Sequence, residues 1–414
     1  MPASHISVGT GTSGSSRGDA CPGALRLHAA DDGFLARVRI PGGVLGVPQA
    51  RALADAAARL GDGALHLTSR GNVQLRGLRD GCGGELAEIL AAAGLLPSAA
   101  HERVRNVVAS PMSGLDGAGF VDVRPWLTAL DEALCASSVT PELSGRFLFA
   151  LDDGRGDVAG LGPDVLVRGV SGGGAVLSVG GAEFLVPYAD AARGAVVAAE
   201  VFVAAAREVT GRRVWRVREL GLPVTELAVL TGDRLSSAGI EASPFRHDGG
   251  APANDSGLRP GPRSSNAEGA GWDGGAGSAA LTVIAPFGTI TPRQWTALTD
   301  LAGQLPAQEI RLTPWRSIVV PGAGPAPTGE LDRTGLVTDP DSPWARTGAC
   351  IGRPGCAKAH TDVRADATAR HPHLPTYWSG CERRCGHPAG PYVDVVARPD
   401  GTYDITNPPT SQPT

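Results

Sequence analysis

The chain has 414 residues, of which 42% are hydrophobic and 19% are charged, with a formal net charge of −5 at pH 7. At roughly 150 residues per domain this length predicts two or three domains, and the hydrophobic fraction excludes a mostly disordered chain. The acidic balance excludes a broadly basic nucleic-acid-binding protein, and no apolar run approaches the roughly 18 residues of a transmembrane helix. We therefore expect a cytoplasmic protein without nucleic-acid or membrane partners.

A strand–helix–strand unit follows a polar, Gly- and Ser-rich stretch at residues 1–20, which we predict to be a disordered tail. Alternating polarity predicts a strand at 34–40, and a periodic Ala-, Leu- and Arg-rich stretch predicts a helix at 48–60. A second strand is predicted at 64–67. These elements define a first domain over residues 21–98.

The same unit recurs near the other end of the chain. Its predicted elements are a strand, a helix and a strand, at 280–285, 292–303 and 309–313. A constant difference of 245 in residue number aligns Leu67 and Thr68 with Leu312 and Thr313. We therefore predict that residues 280–340 form a duplicate of the first domain.

The region between the two copies has a different pattern. Residues 99–246 are predicted to form a central α/β domain whose strands lie at 146–151, 164–168, 175–179 and 183–187 and whose long helix lies at 189–208. Residues 247–279 are rich in Gly, Pro, Ser and Asn, as flexible linkers are. A last predicted segment covers 341–405, and residues 406–414 are predicted to be a second disordered tail.

Four of the seven cysteines lie close together in this last segment. They are paired in sequence as Cys350 and Cys356, then Cys381 and Cys385. Such pairs suit a metal site, which could hold an iron–sulfur cluster or zinc, and structural free thiols are a third interpretation. The other three cysteines are scattered, and we interpret them as small, buried apolar side chains; they are Cys21, Cys82 and Cys135.

The cysteine spacing, together with two arginine-containing segments, resembles the siroheme sulfite and nitrite reductases. The two segments are residues 67–75 (LTSRGNVQL) and 104–111 (VRNVVASP). In those enzymes four cysteines hold a 4Fe-4S cluster beside siroheme, and arginines at the positions of Arg70 and Arg105 face the tetrapyrrole. The resemblance implies an α+β fold, in which duplicated ferredoxin-like half-domains pack with an α/β sulfite-reductase-like domain carrying an iron–sulfur cluster.

One stretch departs from the reductases. They have two lysines, one residue apart, where this chain has Arg146 and Leu148, and Lys358 is the only lysine of the whole chain. An arginine does not give up a proton at neutral pH, so this site is poorly suited to the proton-consuming reduction of a small anion.

This chain resembles a second branch, the precorrin-3B synthase family of aerobic cobalamin biosynthesis, more than it resembles the reductases. The residues that carry this resemblance are 21–23 (CPG), 146–154 (RFLFALDDG) and 312–316 (LTPWR). The resemblance implies O2-dependent hydroxylation of precorrin-3A at C20, with γ-lactone formation. It also implies a mononuclear non-heme iron beside the cluster and an external NAD(P)H-linked electron donor, such as a reductase or a ferredoxin. The substrate carboxylates would then be held by Arg70, Arg105, Arg146 and Arg316, while the catalytic residues and iron ligands are not evident from the sequence.

Two alternatives remain open at this point. One is a siroheme-dependent assimilatory sulfite or nitrite reductase, which the motifs of the first family allow. The other is a non-catalytic metal-binding module, which the cysteines alone allow.

Overall fold

The computed structural model describes residues 21–245, 280–324, 328–369, 374–388 and 390–407. The predicted tail at 1–20 and the predicted linker at 247–279 lie outside the described residues, as does most of the predicted tail at 406–414. The described residues form four β-sheets with helices packed against them, and the predicted mixed α+β class is confirmed. Within these residues, no helix is both long enough and apolar enough to cross a bilayer.

The first half-domain contributes four of its five strands to one five-stranded sheet, which is covered by two helices. Its elements are β1 (His28–Ala30), β2 (Gly33–Val38), β3 (Val44–Gly46), α1 (Val47–Leu60), β4 (Leu65–Leu67), β5 (Val73–Leu78) and α2 (Gly83–Ala92). Helix α1 begins with a proline at its first turn, and its buried stripe includes Leu53, Ala57 and Leu60. This stripe joins the apolar face of the sheet in one core.

The second half-domain repeats this arrangement. The elements are numbered in chain order, so that the central domain between the two copies contains β6–β11 and α3–α5. The second half-domain consists of β12 (Ala280–Ile284), β13 (Thr289–Ile290), α6 (Pro292–Gly303), β14 (Glu309–Leu312), β15 (Ser317–Pro321) and α7 (Thr328–Arg333). Thr291 and Gln294 form a reciprocal capping box at the start of α6, which satisfies backbone N–H groups that a helix end leaves unpaired.

The turns that follow β4 and β14 have the same hydrogen bonds. The N–H of Thr68 donates to the carbonyl of Asn72 at 2.9 Å, and the N–H of Thr313 donates to the carbonyl of Ser317 at 2.9 Å. Each threonine hydroxyl also accepts from a backbone N–H four residues on, from Asn72 at 3.1 Å and from Ser317 at 3.2 Å. The predicted duplication is therefore confirmed down to single hydrogen bonds.

Each half-domain completes the sheet of the other. Strand β13 pairs with β4, where Thr289 lies opposite His66, and β3 pairs with β14, where Leu45 lies opposite Ile310. Helices α1 and α6 pack together along the same boundary, and Trp295 Nε1 donates to the Ala50 carbonyl at 2.8 Å. The two half-domains consequently share one hydrophobic core.

The central domain is a six-stranded sheet with three helices. Its elements are β6 (Val107–Ala109), α3 (Arg124–Ala136), β7 (Phe149–Asp152), β8 (Val165–Val170), β9 (Gly174–Val179), β10 (Ala182–Pro187), α4 (Ala191–Glu208), α5 (Val224–Ser237) and β11 (Ser243–Pro244). Strands β6, β7 and β8 are parallel and the rest are antiparallel. The strand expected at 146–151 begins only at Phe149, because the N–H of Phe147 donates to Ser144 in a turn.

The last segment forms a small sheet of its own. Its elements are β16 (Thr347–Ala349), α8 (Val363–Asp366), β17 (Thr376–Ser379), β18 (Val393–Ala397) and β19 (Tyr403–Thr406). Strands β16, β17 and β18 are parallel, so that their carboxyl ends lie at one edge of the sheet, and β19 is antiparallel.

Candidate functional site

The four clustered cysteines line a single cavity of about 260 Å³. Two of them leave the same edge of the last sheet, because Cys350 directly follows β16 and Cys381 follows its parallel neighbour β17. The N–H of Gly380 donates to Cys350 Sγ at 3.1 Å. The other two cysteines, Cys356 and Cys385, lie on the loops that continue from these two strands. The topology therefore brings together residues that are 35 positions apart in sequence.

The loops around the cysteines are held by specific contacts. Tyr377 is buried, and burial raises the pKa of its hydroxyl to about 12, so it stays protonated. This hydroxyl donates to the carbonyl of Cys385 at 2.6 Å. At Gly380 a side chain is excluded, since a Cβ would lie 2.6 Å from the Cβ of Ala359 and 3.5 Å from Cys350 Sγ.

The chemistry of this cavity fits an iron–sulfur cluster. All four thiols are free rather than in disulfides. Burial raises the pKa of the Cys350 thiol, and the N–H groups of Gly380 and Gly352 oppose that rise by hydrogen bonding. Among the described residues no three His, Cys, Asp or Glu side chains converge on a point suited to a single ion. All four cysteines line one cavity, and four thiolates are the usual ligand set of an iron–sulfur cluster.

Arginines form much of the remaining cavity wall. They are Arg76, Arg316, Arg364 and Arg383. Arg364 Nε donates to the Cys350 carbonyl at 3.0 Å, and its Nη1 donates to the hydroxyl of Thr289. Burial lowers the pKa of Arg364, and the nearby charge of Arg316 lowers it further, while Cys350 opposes this. Such a positive wall stabilises the negative charge that thiolate ligands bring.

Arg316 reaches the cysteine cavity through an unusual backbone conformation. Its φ is 63°, in the left-handed region that non-glycine residues rarely adopt. A Cβ on Gly288 would lie 2.7 Å from Arg316 Cδ, and a Cβ on Gly386 would lie 3.5 Å from Arg316 Nη2. The side chain therefore passes over Gly288 and ends beside the loop of Cys385.

Arg70 and Arg146 lie together at a different location, outside the lining of that cavity. Arg70 Nη1 donates to the carbonyl of Arg146 at 3.1 Å, whereas the Arg146 side chain is exposed. Burial, together with the charges of Arg216 and Arg37, lowers the pKa of Arg70 to about 10. Arg216 is neutralised by an ion pair with Asp164.

Arg37 lies in β2, and Arg39 directly follows that strand. Together with Arg70 they form a group that we call the arginine cluster. Arg39 is only 3% exposed, and burial and the charges of Arg37 and Arg70 lower its pKa to about 9. Its Nη2 donates to the Gly145 carbonyl at 3.2 Å, and Arg37 Nε is buried without a hydrogen-bond partner. Within the described part of the chain, no member of the cluster forms an ion pair with a carboxylate.

Arg105 does not line the cysteine cavity and forms an ion pair with Asp131. Its Nε and Nη2 each donate to Asp131 at 2.7 Å, and its Nη1 donates to the Leu95 carbonyl at 3.1 Å. The side chain is buried, and this fork of hydrogen bonds connects the start of the central domain to α3. The guanidinium is thus engaged by Asp131 and the Leu95 carbonyl, and its expected role in binding substrate carboxylates stays a prediction.

Sequence reasoning missed Arg37 and Arg39. A signal was present, since the two residues are two positions apart and therefore point to one face of a predicted strand. Two charges on one face of a strand in a buried sheet indicate a ligand or a partner. Arg76 and Arg364 were also missed, and their local sequence carries no comparable signal. Of the scattered cysteines, Cys82 is buried as expected, whereas Cys21 and Cys135 are half-buried.

Comparison with known proteins agrees with this architecture. The nitrite/sulfite reductase ferredoxin-like half domain matches twice, at residues 27–93 and 273–333. The structure of the Mycobacterium tuberculosis NirA protein has a TM-score of 0.67 over 90% of this chain and 73% of that one. At 21% identity this match establishes the fold.

Two curated proteins that are similar to this chain differ in how much of the chain they match. A precorrin-3B synthase of Sinorhizobium sp is 27% identical over 413 residues, which is 96% of this chain and 84% of that protein. A ferredoxin–nitrite reductase of Synechococcus elongatus is 40% identical over 128 residues, but these are only 30% of this chain and 25% of the reductase. The chain thus contains two nitrite/sulfite reductase ferredoxin-like half domains, has a fold like that of the NirA protein, and is similar along nearly its whole length to a precorrin-3B synthase.

Proposed function

We propose that this protein is an oxidoreductase of the precorrin-3B synthase type. It hydroxylates precorrin-3A at C20 with O2, and a ring acetate closes the γ-lactone. The reaction consumes two electrons and two protons besides O2, because one oxygen atom enters the product and the other leaves as water. The similarity to the Sinorhizobium synthase along nearly the whole chain supports this assignment.

The observation that carries the proposal is the arginine cluster. The cost of burying Arg39 and Arg70 exceeds the attraction of Glu102 and Asp164, neither of which forms an ion pair with them in the described residues, so the cluster favours an anionic ligand. Guanidinium groups bind carboxylates through paired hydrogen bonds, and precorrin-3A has a rim of carboxylates. We assign Arg37, Arg39 and Arg70 to this rim, with Arg146 at its exposed side. Arg316 would approach the substrate from the cysteine cavity.

The cysteine cavity is our proposed site of a 4Fe-4S cluster. Cys350, Cys356, Cys381 and Cys385 would hold it, and it would supply single electrons taken from an external NAD(P)H-linked donor. The chain's own residues orient the site: Tyr377 holds the Cys385 loop, and Arg364 holds the carbonyl of Cys350. A mononuclear iron has no evident three-residue site in the described part of the chain, and we derive no step through it.

The test is an oxygenation assay with the anaerobically purified protein. Incubation with precorrin-3A, a reductant and O2 should give a product heavier by one oxygen atom, labelled when 18O2 is used. Cys381→Ser should abolish both the cluster absorbance and the product. Product formed by a variant that lacks the cluster would remove the cluster from the reaction, and the absence of product with an intact cluster would reject the assignment.

A siroheme-dependent nitrite or sulfite reductase is the second candidate. The Synechococcus nitrite reductase favours this candidate, because it is 40% identical to this chain over 30% of the chain's length. The exchange of the reductase lysine pair for Arg146 and Leu148 argues against it, because the site loses an ammonium that can donate a proton. A visible spectrum separates the candidates: chlorin bands would indicate bound siroheme, a broad brown shoulder alone would favour the synthase, and a colourless zinc protein would reject both.

A further inference from the structure

The first half-domain holds the loop of Cys356 from both sides of that cysteine. Arg76 Nη2 donates to the carbonyl of Gly355 at 3.3 Å, on one side. On the other side, the N–H of Ala357 donates to Asp31 Oδ2 at 2.7 Å. The peptide groups that flank Cys356 are thus fixed by residues more than 270 positions away in sequence.

Arg76 is itself oriented by a bidentate ion pair. Its Nε donates to Asp32 Oδ2 at 2.8 Å and its Nη2 donates to Asp32 Oδ1 at 2.9 Å. Both side chains are largely buried, at 10% and 22% exposure. A fork of two parallel hydrogen bonds fixes the plane of the guanidinium, which leaves Nη2 aimed at the Gly355 carbonyl.

Gly355 is closely packed against Ile351 of its own segment and against Asp32 of the first half-domain. A Cβ there would lie 2.8 Å from Ile351 Cγ1 and 3.2 Å from Asp32 Oδ2. The backbone of the loop at Gly355 therefore packs directly against the Asp32 carboxylate, one residue before Cys356.

We propose that Asp32 and Arg76 are positioning residues that hold Cys356 at the distance a metal cluster requires. The inference rests on the proposed function in assuming that the four cysteines bind a cluster. It goes further in assigning one ligand's geometry to an ion pair of the first half-domain rather than to the cysteine segment itself. An ion pair with a purely stabilising role would affect unfolding but would leave the cluster and the reactivity of Cys356 unchanged.

The experiment compares two isosteric substitutions in the full-length protein. Asp32→Asn weakens the Arg76 fork, and Asp131→Asn weakens the Arg105 fork, which has the same atoms, distances of 2.7 Å and similar exposure of 5% and 25%. Because the two forks have the same geometry and similar exposure, the two variants are matched for lost stability. Within the described residues, Arg105 and Asp131 have no hydrogen bond to the cysteine loops. Each is measured for the rate of iron loss to a chelator and for the EPR spectrum of the reduced cluster.

A third measurement does not need a cluster. In iron-free protein, the alkylation rates of Cys356 and Cys381 are compared by mass spectrometry. We expect Asp32→Asn to lose iron about tenfold faster than the wild type, as fits the loss of one charge-assisted hydrogen bond. It should also broaden the EPR signal and increase the alkylation of Cys356 relative to Cys381, whereas Asp131→Asn should match the wild type in all three.

If Asp32→Asn behaves like Asp131→Asn, the positioning role is wrong. If the wild type assembles no 4Fe-4S cluster at all, the proposed cofactor fails instead. The alkylation ratio then still decides whether Asp32 controls Cys356.

Discussion

Arg316 and Gly71 occupy equivalent positions in the two half-domains and share one left-handed backbone conformation, with φ of 63° and 65°. Their residue numbers differ by 245, like those of the other aligned pairs. The first copy uses glycine, which adopts this conformation without strain, while the second copy tolerates the strain of an arginine. A strained residue that carries a charge into a cavity indicates a functional role for that charge.

Arg316→Gly should therefore leave the fold intact and weaken ligand binding. Relief of the left-handed strain, about 1 kcal/mol, is partly offset by the greater freedom of glycine in the unfolded chain. We expect binding of a porphyrin polycarboxylate, followed by absorbance titration, to weaken about tenfold with the loss of a charge-assisted hydrogen bond. Gln308→Gly is the control, because Gln308 has φ of 46° but an exposed side chain away from the cavity. Equal affinity in both variants would assign Arg316 a structural role.

Gly386→Ala should damage the cluster site far more than Gly401→Ala. Both glycines have φ of +84°, so alanine is strained equally in each. At Gly386 a Cβ would also lie 3.0 Å from the Tyr377 hydroxyl, which holds the Cys385 loop, whereas at Gly401 nothing lies within 4 Å. We expect both variants to lose about 1 kcal/mol of unfolding free energy, but only Gly386→Ala to lose iron during gel filtration. Equal iron retention would contradict the contact.

Arg39→Met should weaken ligand binding without lowering stability. The substitution removes a buried charge that Arg37 and Arg70 repel, and apolar replacement of buried charge is often neutral or stabilising. We expect an unchanged or higher melting temperature and at least about tenfold weaker binding of a porphyrin polycarboxylate. Arg105→Met gives the contrast, since it leaves the Asp131 carboxylate without its fork and should lower the melting temperature with little change in affinity. The reverse pattern would support Arg105, rather than Arg39, as the ligand-binding residue.

Asp157 should make stability fall as pH rises toward neutrality. Burial and the nearby Asp152 raise the pKa of this carboxyl to about 7, and it accepts a hydrogen bond from Ser110 Oγ at 2.6 Å. Below about pH 4, the ordinary aspartate pKa, folded and unfolded states are both protonated and no free energy is lost. Between pH 4 and 7 only the unfolded state ionises, so the folded state loses stability.

The measurement for Asp157 is denaturant unfolding at pH 4.5 and pH 8. Asp157→Asn keeps an oxygen for Ser110 but cannot ionise, and it should be more stable than the wild type at pH 8 by up to about 4 kcal/mol, which is the free energy of a shift of roughly three pKa units. The advantage should shrink at pH 4.5. A difference that does not vary with pH would show that Asp157 is not protonated in the folded protein.

Local regularity explains what could be predicted from the sequence. The helices at 48–60 and 292–303 and the repeat itself follow from periodic apolar residues and a constant spacing. The four cysteines were recognisable because paired ligands are close in sequence. Strands β3 and β13 were not predictable, since two or three residues carry no period and their partners belong to the other copy.

The arginines mark the limit of sequence reasoning about the site. Nothing local to Arg105 indicates that Asp131 will neutralise it, and nothing local to Arg76 indicates that it will reach Gly355. Such assignments depend on contacts between distant segments. The motif drew attention to Arg70, whose role in binding stays a prediction, but the charged neighbours of Arg70 became visible only in three dimensions.

The exchange of β3 and β13 between the half-domains also constrains how the chain can fold. The edge of the first sheet remains open until residues 289–290 have been synthesised, about 220 residues after β4. Contacts this far apart in sequence slow folding, because a long loop must close before they form. The first half-domain alone would expose an unpaired strand edge, which invites aggregation. We therefore expect the ferredoxin-like pair to fold as one cooperative unit that cannot be divided into two separately expressed halves.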